Sequence, residues 1–487
     1  MPGGGSARPL ALPFAAILAG SELLYLRRAR INATVWWLSI FLLWAIISWS
    51  IGLSASGLPV LSREALLGPC SLLVGIAFYL AARRHLRLWP AGFEYWLTVG
   101  SLVTAGAALL QFLGHRLPVL YPPLLDRVHT WLVLRNVDWV AAGQANGFAL
   151  EPSWLASFLT LLPIPLLLTR TTVNEVAASG SRSFHLGRTW WILLTLCCAV
   201  VAAGSRAGLV AMFAELLVAV MACSWSSAWR RGLLRSGTLL LAISLATWLV
   251  HKDNTYVTSL HGVPEAVARL RLGAPERSGP GNNANPKVEG NEQPSAVGQR
   301  ATDEGIDWSQ WVPPHAGPRM AALVAAVRTI HVAPLTGVGL GLSGTWAIRY
   351  LPTWSLRADA VGEPGLREIN RWRTNPLSYR VLNRPLRILL ETGLVGLTFY
   401  LLFFFGHLRW RGRSRADHML LLCALPAIAI DWLSMDTFAL GHPWLLLVLL
   451  QGEARKQYSD SSFQQCTNSS LVKEGRRKSH RSIVETR

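Results

Sequence analysis

Gly204-Ser205-Arg206-Ala207-Gly208 is the stretch whose residue types best suit chemistry. An arginine between two apolar runs costs about 2.5–3.5 kcal/mol at the middle of a bilayer, so Arg206 belongs at a boundary or beside a partner. Two readings stand for it: a snorkelling anchor, or a ligand for an anion. Gly204, Ser205 and Gly208 let a ligand approach the backbone, and the N–H groups opening the next helix favour negative charge. A planar guanidinium forks onto phosphate oxygens, so the anion reading points to phosphate.

Arg319 and Arg328 fall on a short amphipathic helix, with Leu323, Val327 and Ile330 on its apolar stripe. Either this helix rests on a membrane with solvated arginines, or one of them reaches the same anion as Arg206. Glu151, just before Pro152, either complements a helix dipole or serves as a base or sugar ligand. Glu391, beside Thr392 and Gly393, reads as a packing residue ahead of a catalytic one. Asp431 and Asp436 read as polar features of a hairpin rather than a proton relay. Gly337-Val338-Gly339-Leu340-Gly341 lacks dinucleotide-fingerprint spacing and reads as a turn that brings backbone close to a neighbour. No cysteine spacing resembles a metal site or disulfide framework, and the cysteines read as small buried apolar groups; neither metal nor cofactor is expected.

The elements that must position these residues are apolar helices. The 487-residue chain is 51% hydrophobic and only 15% charged, against about 25% charged in a typical soluble domain. Its apolar runs are continuous rather than alternating, which excludes barrel strands, and they approach the ~20 residues that a crossing helix needs. The expectation is an all-α polytopic membrane protein of about eleven spans, at 10–26, 36–54, 65–82, 92–113, 148–169, 190–203, 207–225, 238–250, 385–405, 419–433 and 438–450. The formal charge of +19 does not imply nucleic acid. Arginines crowd the short polar breaks, as at Arg83, Arg84 and Arg87, where positive charge marks the cytoplasmic side.

That charge pattern puts the N-terminus outside and the C-terminus inside. Residues 1–250 carry the first eight spans, 251–384 form one large, partly helical outer loop, 385–450 carry the last three, and 451–487 form a disordered basic tail. Within the loop, 274–299 lacks aromatics and is rich in Pro, Gly and Asn, the composition of a disordered segment. After Ile306 the loop regains tryptophans and periodic apolar positions and is expected to fold.

Four pieces together resemble the O-antigen ligase and O-antigen polymerase superfamily of bacterial inner-membrane proteins. They are Glu151-Pro152-Ser153, the segment 204–208, Arg319 with 334–341, and Asn383 with Leu390-Glu391-Thr392-Gly393-Leu394-Val395-Gly396. The resemblance covers about 147–405 and implies a metal-independent glycosyltransferase that uses glycans on an undecaprenyl diphosphate carrier at the periplasmic face. By it, Arg206 and Arg319 match the arginines that hold the diphosphate, with Ser205 and Arg328 beside them. The ligases place a histidine where this chain has Leu382. The base is therefore open among Glu151, His315 and His331, while Asn383 and Glu391 are other candidate site residues.

The function expected is a polysaccharide polymerase that moves a lipid-linked glycan onto the next lipid-linked repeat unit. Membrane lipid, and a chain-length regulator or export complex, would be its other partners. A ligase acting on a lipid or protein acceptor is the near alternative. A transporter or flippase, or a scaffold of an export complex, is the more distant one.

Overall fold

The computed structural model describes residues 11–26, 33–116, 145–149, 151–177, 183–224, 317–379, 381, 383–408, 415–434 and 441–450. Among them the chain is helix and turn, with no strand. The first group of helices is α1 (Ala11–Leu26), α2 (Ala33–Ser56), α3 (Arg63–Leu88), α4 (Pro90–Arg116), α5 (Pro152–Leu161), α6 (Pro163–Ala177), α7 (Ser183–Ala203) and α8 (Arg206–Ser224). The second is α9 (Gly317–Ile330), α10 (Ser343–Ala347), α11 (Ala358–Thr374), α12 (Arg384–His407), α13 (Arg415–Ser434) and α14 (Gly441–Leu450).

Six of these helical stretches are long and apolar enough to cross a bilayer: Ala33–Ser56, Arg63–Leu88, Gly92–Gly114, Pro152–Thr171, Arg384–His407 and Asp417–Ser434. They coincide with six of the expected spans. Phe14–Tyr25 and Thr189–Ala203 are apolar but shorter, and α14 has only 10 residues. The expected span at 238–250, the segment 274–299, His315, Leu382 and the tail 451–487 lie outside the described residues. Outward faces are apolar. Trp36, Leu43 and Ile46 on α2 are each more than half exposed, a surface suited to lipid rather than water.

Three apolar clusters organise the interior. The first gathers α2, α3, α12, α13 and α14 around Phe41, Tyr79 and Phe403. The second packs α4, α5, α7 and α8 through Leu155, Leu159, Leu193 and Met212. Its central stretch, Pro152–Thr171, is enclosed on nearly every side. The third is a compact unit of α9, α10 and α11, closed by Trp354, Trp372 and Tyr379, whose hydroxyl donates to the Ala322 carbonyl at 2.6 Å. Residues 317–379, which fall within the expected outer loop, therefore carry an apolar core of their own. On α9 the buried face is made of small residues, Ala321, Ala322, Ala325 and Ala326, while Leu323 and Val327 are exposed on the same side as Arg319. Alanines allow close approach of helices, and the larger stripe is left outward.

The break in α12 decides how the unit and the bundle join. Gly393 has φ 67° and ψ −174°, so the helix divides into Arg384–Thr392 and a longer second half. Arg384 and Tyr400 nonetheless line the same cavity. On a straight helix rising ~1.5 Å per residue they would be about 24 Å apart, beyond the joint reach of the two side chains; Gly393 therefore bends the helix and turns both halves toward one cavity. The break frees backbone groups that must be satisfied internally, and the segment after α9 satisfies them. Val338 and Gly339 N–H donate to the Leu390 and Glu391 carbonyls at 2.9 and 3.0 Å, and Leu394 N–H donates to the Pro334 carbonyl at 2.9 Å. From α2, Ser48 Oγ donates to the Glu391 carbonyl at 2.7 Å, and Trp44 Nε1 to the Thr392 carbonyl at 2.8 Å.

Backbone can come this close only where side chains are absent. A Cβ on Gly68 would stand 2.5 Å from the Gly341 Cα, and one on Gly52 2.7 Å from the Gly339 Cα. Gly339 and Gly341 themselves have φ of 104° and 82°, which L side chains rarely adopt. The glycine-rich segment is therefore a key inserted between α2, α3 and the broken α12.

Candidate functional site

Two helix starts meet at one corner of the bundle. Gly204, at φ 63°, turns the chain from α7 into α8, and Ser205 Oγ accepts from Gly208 N–H at 3.3 Å as an N-cap. Glu151 is extended and stands at the N-cap of α5, where its side chain does not bond the helix backbone, with Pro152 in the first turn, where its missing N–H costs nothing. Gly208 packs against the Ala156 methyl with no room for a Cβ. The N-termini of α5 and α8 are thus held side by side, and Arg206 is exposed at their mouth.

The approach to α5 is fastened as well. Gln111 Oε1 on α4 accepts from Asn146 and Gly147 N–H at 3.1 and 2.8 Å, and its Nε2 donates to the Gly147 carbonyl at 3.2 Å. Ala145 N–H reaches the Ala202 carbonyl on α7 at 3.0 Å. One buried carboxamide therefore ties residues 145–147 to α4 and fixes where Glu151 stands.

One residue beyond Ala156 a buried polar cluster begins. Ser157 Oγ donates to Asp431 Oδ1 at 2.6 Å and lies 2.9 Å from His442 Nε2. Asp431 Oδ2 pairs with Arg384 Nη1 at 2.9 Å, and both side chains are 3% exposed. Because the serine proton goes to the carboxylate, the serine oxygen accepts from His442, so Nε2 carries a proton. That is the reverse of a nucleophile–base arrangement, in which the imidazole takes the serine proton. The cluster is a structural and electrostatic joint between α5, α12, α13 and α14. Arg384 Nε and Nη2 make no hydrogen bond among the described residues. They border a cavity of ≈ 20 Å³ lined also by Tyr400, Phe404, Trp432 and Trp444, enough for a water but not for a sugar.

The expected site residues divide between these units. Glu151, Ser205 and Arg206 come together at the α5–α8 corner. Glu391 lies on α12 against the key: its Oε1 accepts from Ser343 Oγ at 2.8 Å and pairs with Arg387 Nε at 2.9 Å, and the residue is fully buried. Asn383 caps the first half of α12 by accepting from Leu386 N–H at 2.9 Å. Arg319 is exposed and Arg328 half-buried on α9, with His331 exposed just beyond it. Arg319 and Arg328 are thus on a helix that packs into the third cluster, whereas Arg206 opens a helix that packs into the second.

Sequence reasoning overlooked the role of Arg384, Ser157 and His442, and took Asp431 for a hairpin feature. One signal was available: a charged residue inside an apolar run calls for a partner, and Asp431 is such a residue. Nothing in the linear order names Arg384 as that partner. No family model matches this chain, and no curated protein or solved structure proves similar to it.

Proposed function

We propose that the protein is a metal-independent membrane glycosyltransferase of the polysaccharide polymerase type. On this reading it lies in a bacterial inner membrane, with about eleven spans and the α9–α11 unit on the periplasmic face. The observation that carries the proposal is the α5–α8 corner. Two adjoining helix N-termini and the exposed Arg206 form a cationic mouth suited to a diphosphate. Support also comes from the way the remaining motif pieces meet. Segment 334–341 interlocks with 390–396, and the Ser157–Asp431–Arg384 chain of contacts ties that unit back to α5.

The reaction breaks the bond between the glycan anomeric carbon and the carrier diphosphate. The new bond joins that carbon to a hydroxyl oxygen of the next lipid-linked repeat unit. The departing diphosphate takes the electron pair, and Arg206 and Arg319 stabilise its developing charge without a metal. The acceptor proton passes to a base within hydrogen-bond reach, and Glu151 at the corner and His331 beyond α9 are the described candidates. Exposed Leu323 and Val327 would seat α9 on the membrane so that Arg319 closes over the carrier.

The test is the size distribution of glycan made from a purified lipid-diphosphate-linked repeat unit by the purified protein. Polymerase predicts a ladder of longer lipid-linked chains that is lost in Arg206→Ala. Transfer only to an added lipid or peptide acceptor would identify a ligase instead.

A second reading has one specific observation in its favour. A broken helix beside a buried Arg384–Asp431 pair is a feature of transporters. Unchanged glycan length in Arg206→Ala, together with loss of lipid-linked glycan movement across proteoliposomes, would favour transport.

A further inference from the structure

On a different pair of helices from the α5–α8 corner, α1 and α3 meet at a cluster with more positive charge than their pairing uses. Glu22 on α1 is fully buried, and its Oε1 lies 2.8 Å from Arg87 Nη2 and 3.2 Å from Arg83 Nε. Arg84 and Arg87 stand over the Tyr25 ring at 5.6 and 4.2 Å. Two guanidinium groups thus share one carboxylate, and a third stands beside them over the same tyrosine ring. Arg83 Nη1, Arg84 Nε and Arg87 Nη1 are enclosed yet donate to no group among the described residues, and the Arg83 side chain is only 10% exposed. Glu22 Oε2 is likewise unpartnered, but Glu22 is fully buried, whereas Arg83 and Arg87 are 10% and 22% exposed and are the groups open to a ligand. A buried charged donor without an acceptor is costly, so the arrangement implies an anion that completes it.

The surroundings indicate what carries that anion. The cluster lies at the end of Arg63–Leu88, a helix long and apolar enough to cross a bilayer, the level at which headgroups stand. Toward it runs the outward stripe of α1, with Phe14, Ile17 and Leu24 at 71%, 70% and 69% exposure. The inner face of α1, Ala15, Ala19 and Glu22, is turned to α3. A cationic pocket at the end of an apolar rail complements a molecule with an anionic head and hydrocarbon tails, and arginine forks match phosphate oxygens.

We infer that Arg83, Arg84 and Arg87 form a binding site for a phosphate group, carried by an anionic glycerophospholipid whose chains lie along the outer stripe of α1. The site does not depend on the glycosyltransferase reading. It is a second phosphate-recognising region on a different pair of helices.

Native mass spectrometry of the full-length protein in detergent tests it, with phosphatidylglycerol and phosphatidylcholine offered in competition. Wild type should retain phosphatidylglycerol preferentially. Arg84→Gln leaves both Glu22 pairs in place and should lower that retention about fivefold, the share of one interfacial arginine. Glu22→Gln removes the opposing charge and should raise it, whereas a merely structural cluster would only lose stability. Equal retention of the two lipids, or unchanged phosphatidylglycerol retention in a folded Arg84→Gln protein, would overturn the inference. Full displacement of the lipid by millimolar inorganic phosphate would reassign the site to the free anion and overturn the lipid as its ligand.

Discussion

Arg384 Nη1 and Asp431 Oδ2 stand 2.9 Å apart, and each side chain is 97% removed from solvent. Breaking such a pair from one side leaves a buried charge uncompensated, which costs about 3–5 kcal/mol. Asp431→Leu alone should therefore lower the thermal unfolding temperature in detergent strongly. Arg384→Met combined with Asp431→Leu should recover most of the loss. If the double variant is no better than the single one, the pair is not the source of the effect.

Gly393 makes a second, independent prediction. Its positive φ and the Gly337 amide that would lie 2.6 Å from an added Cβ leave no place for a methyl. Gly393→Ala should cost at least about 2 kcal/mol. Gly100, in α4, has open space where its Cβ would go, so Gly100→Ala should be neutral or stabilise by up to ~1 kcal/mol. Both are read by thermal unfolding of the purified protein.

Gln111 serves two amides with one oxygen. Gln111→Leu should strand the Asn146 and Gly147 N–H groups in the interior, at about 1–3 kcal/mol for each. It should also raise limited-proteolysis rates between α4 and α5 before global unfolding begins. Unchanged cleavage there would mean that the carboxamide does not hold the segment.

Arg206 and Arg319 are exposed, so replacing either with alanine should leave unfolding temperature nearly unchanged. On the glycosyltransferase reading, turnover should fall by about 10²–10³ for each, the usual effect of removing one charge-stabilising donor. Lysine at these positions keeps the charge but loses the fork, so it should rescue only in part. Full activity in both alanine variants would reduce them to surface anchors.

The base is decided by comparing Glu151→Gln with His331→Ala in the same assay. The true base should lose about 10²–10⁴ in rate, and the other should remain near wild type. Loss in neither would leave His315 as the residue to replace next.

The long apolar runs of α2, α3 and α12 were legible because a bilayer-length helix leaves its composition in every position. The segment 337–341 was legible as a close backbone approach, since glycines at that density leave few alternatives. What it approaches was not. Gly52 and Gly68 are unremarkable inside their apolar runs, and only the folded chain selects them from the other glycines. The same holds for Arg384, which closes a polar loop in linear order yet folds inward. The break at Gly393 is supported by hydrogen bonds from Val338 and Gly339 to the Leu390 and Glu391 carbonyls, a pairing that no local pattern encodes. On α9 the stripe of larger residues was readable, but which side the alanines would bury depended on the partner helices.

The hydrogen bond from Ser48 to the Glu391 carbonyl joins residues 343 positions apart. At a synthesis rate of about 5–20 residues per second, the α2 hydroxyl waits roughly 17–70 s for its acceptor. During that interval α2 lacks the helix with which it packs most extensively, because α12 has not been made. The early hairpins must therefore persist as a loosely joined intermediate until the last third of the chain arrives. A ribosome stalled before Val338 would leave the grooves at Gly52 and Gly68 open, a state for membrane proteases to recognise and clear.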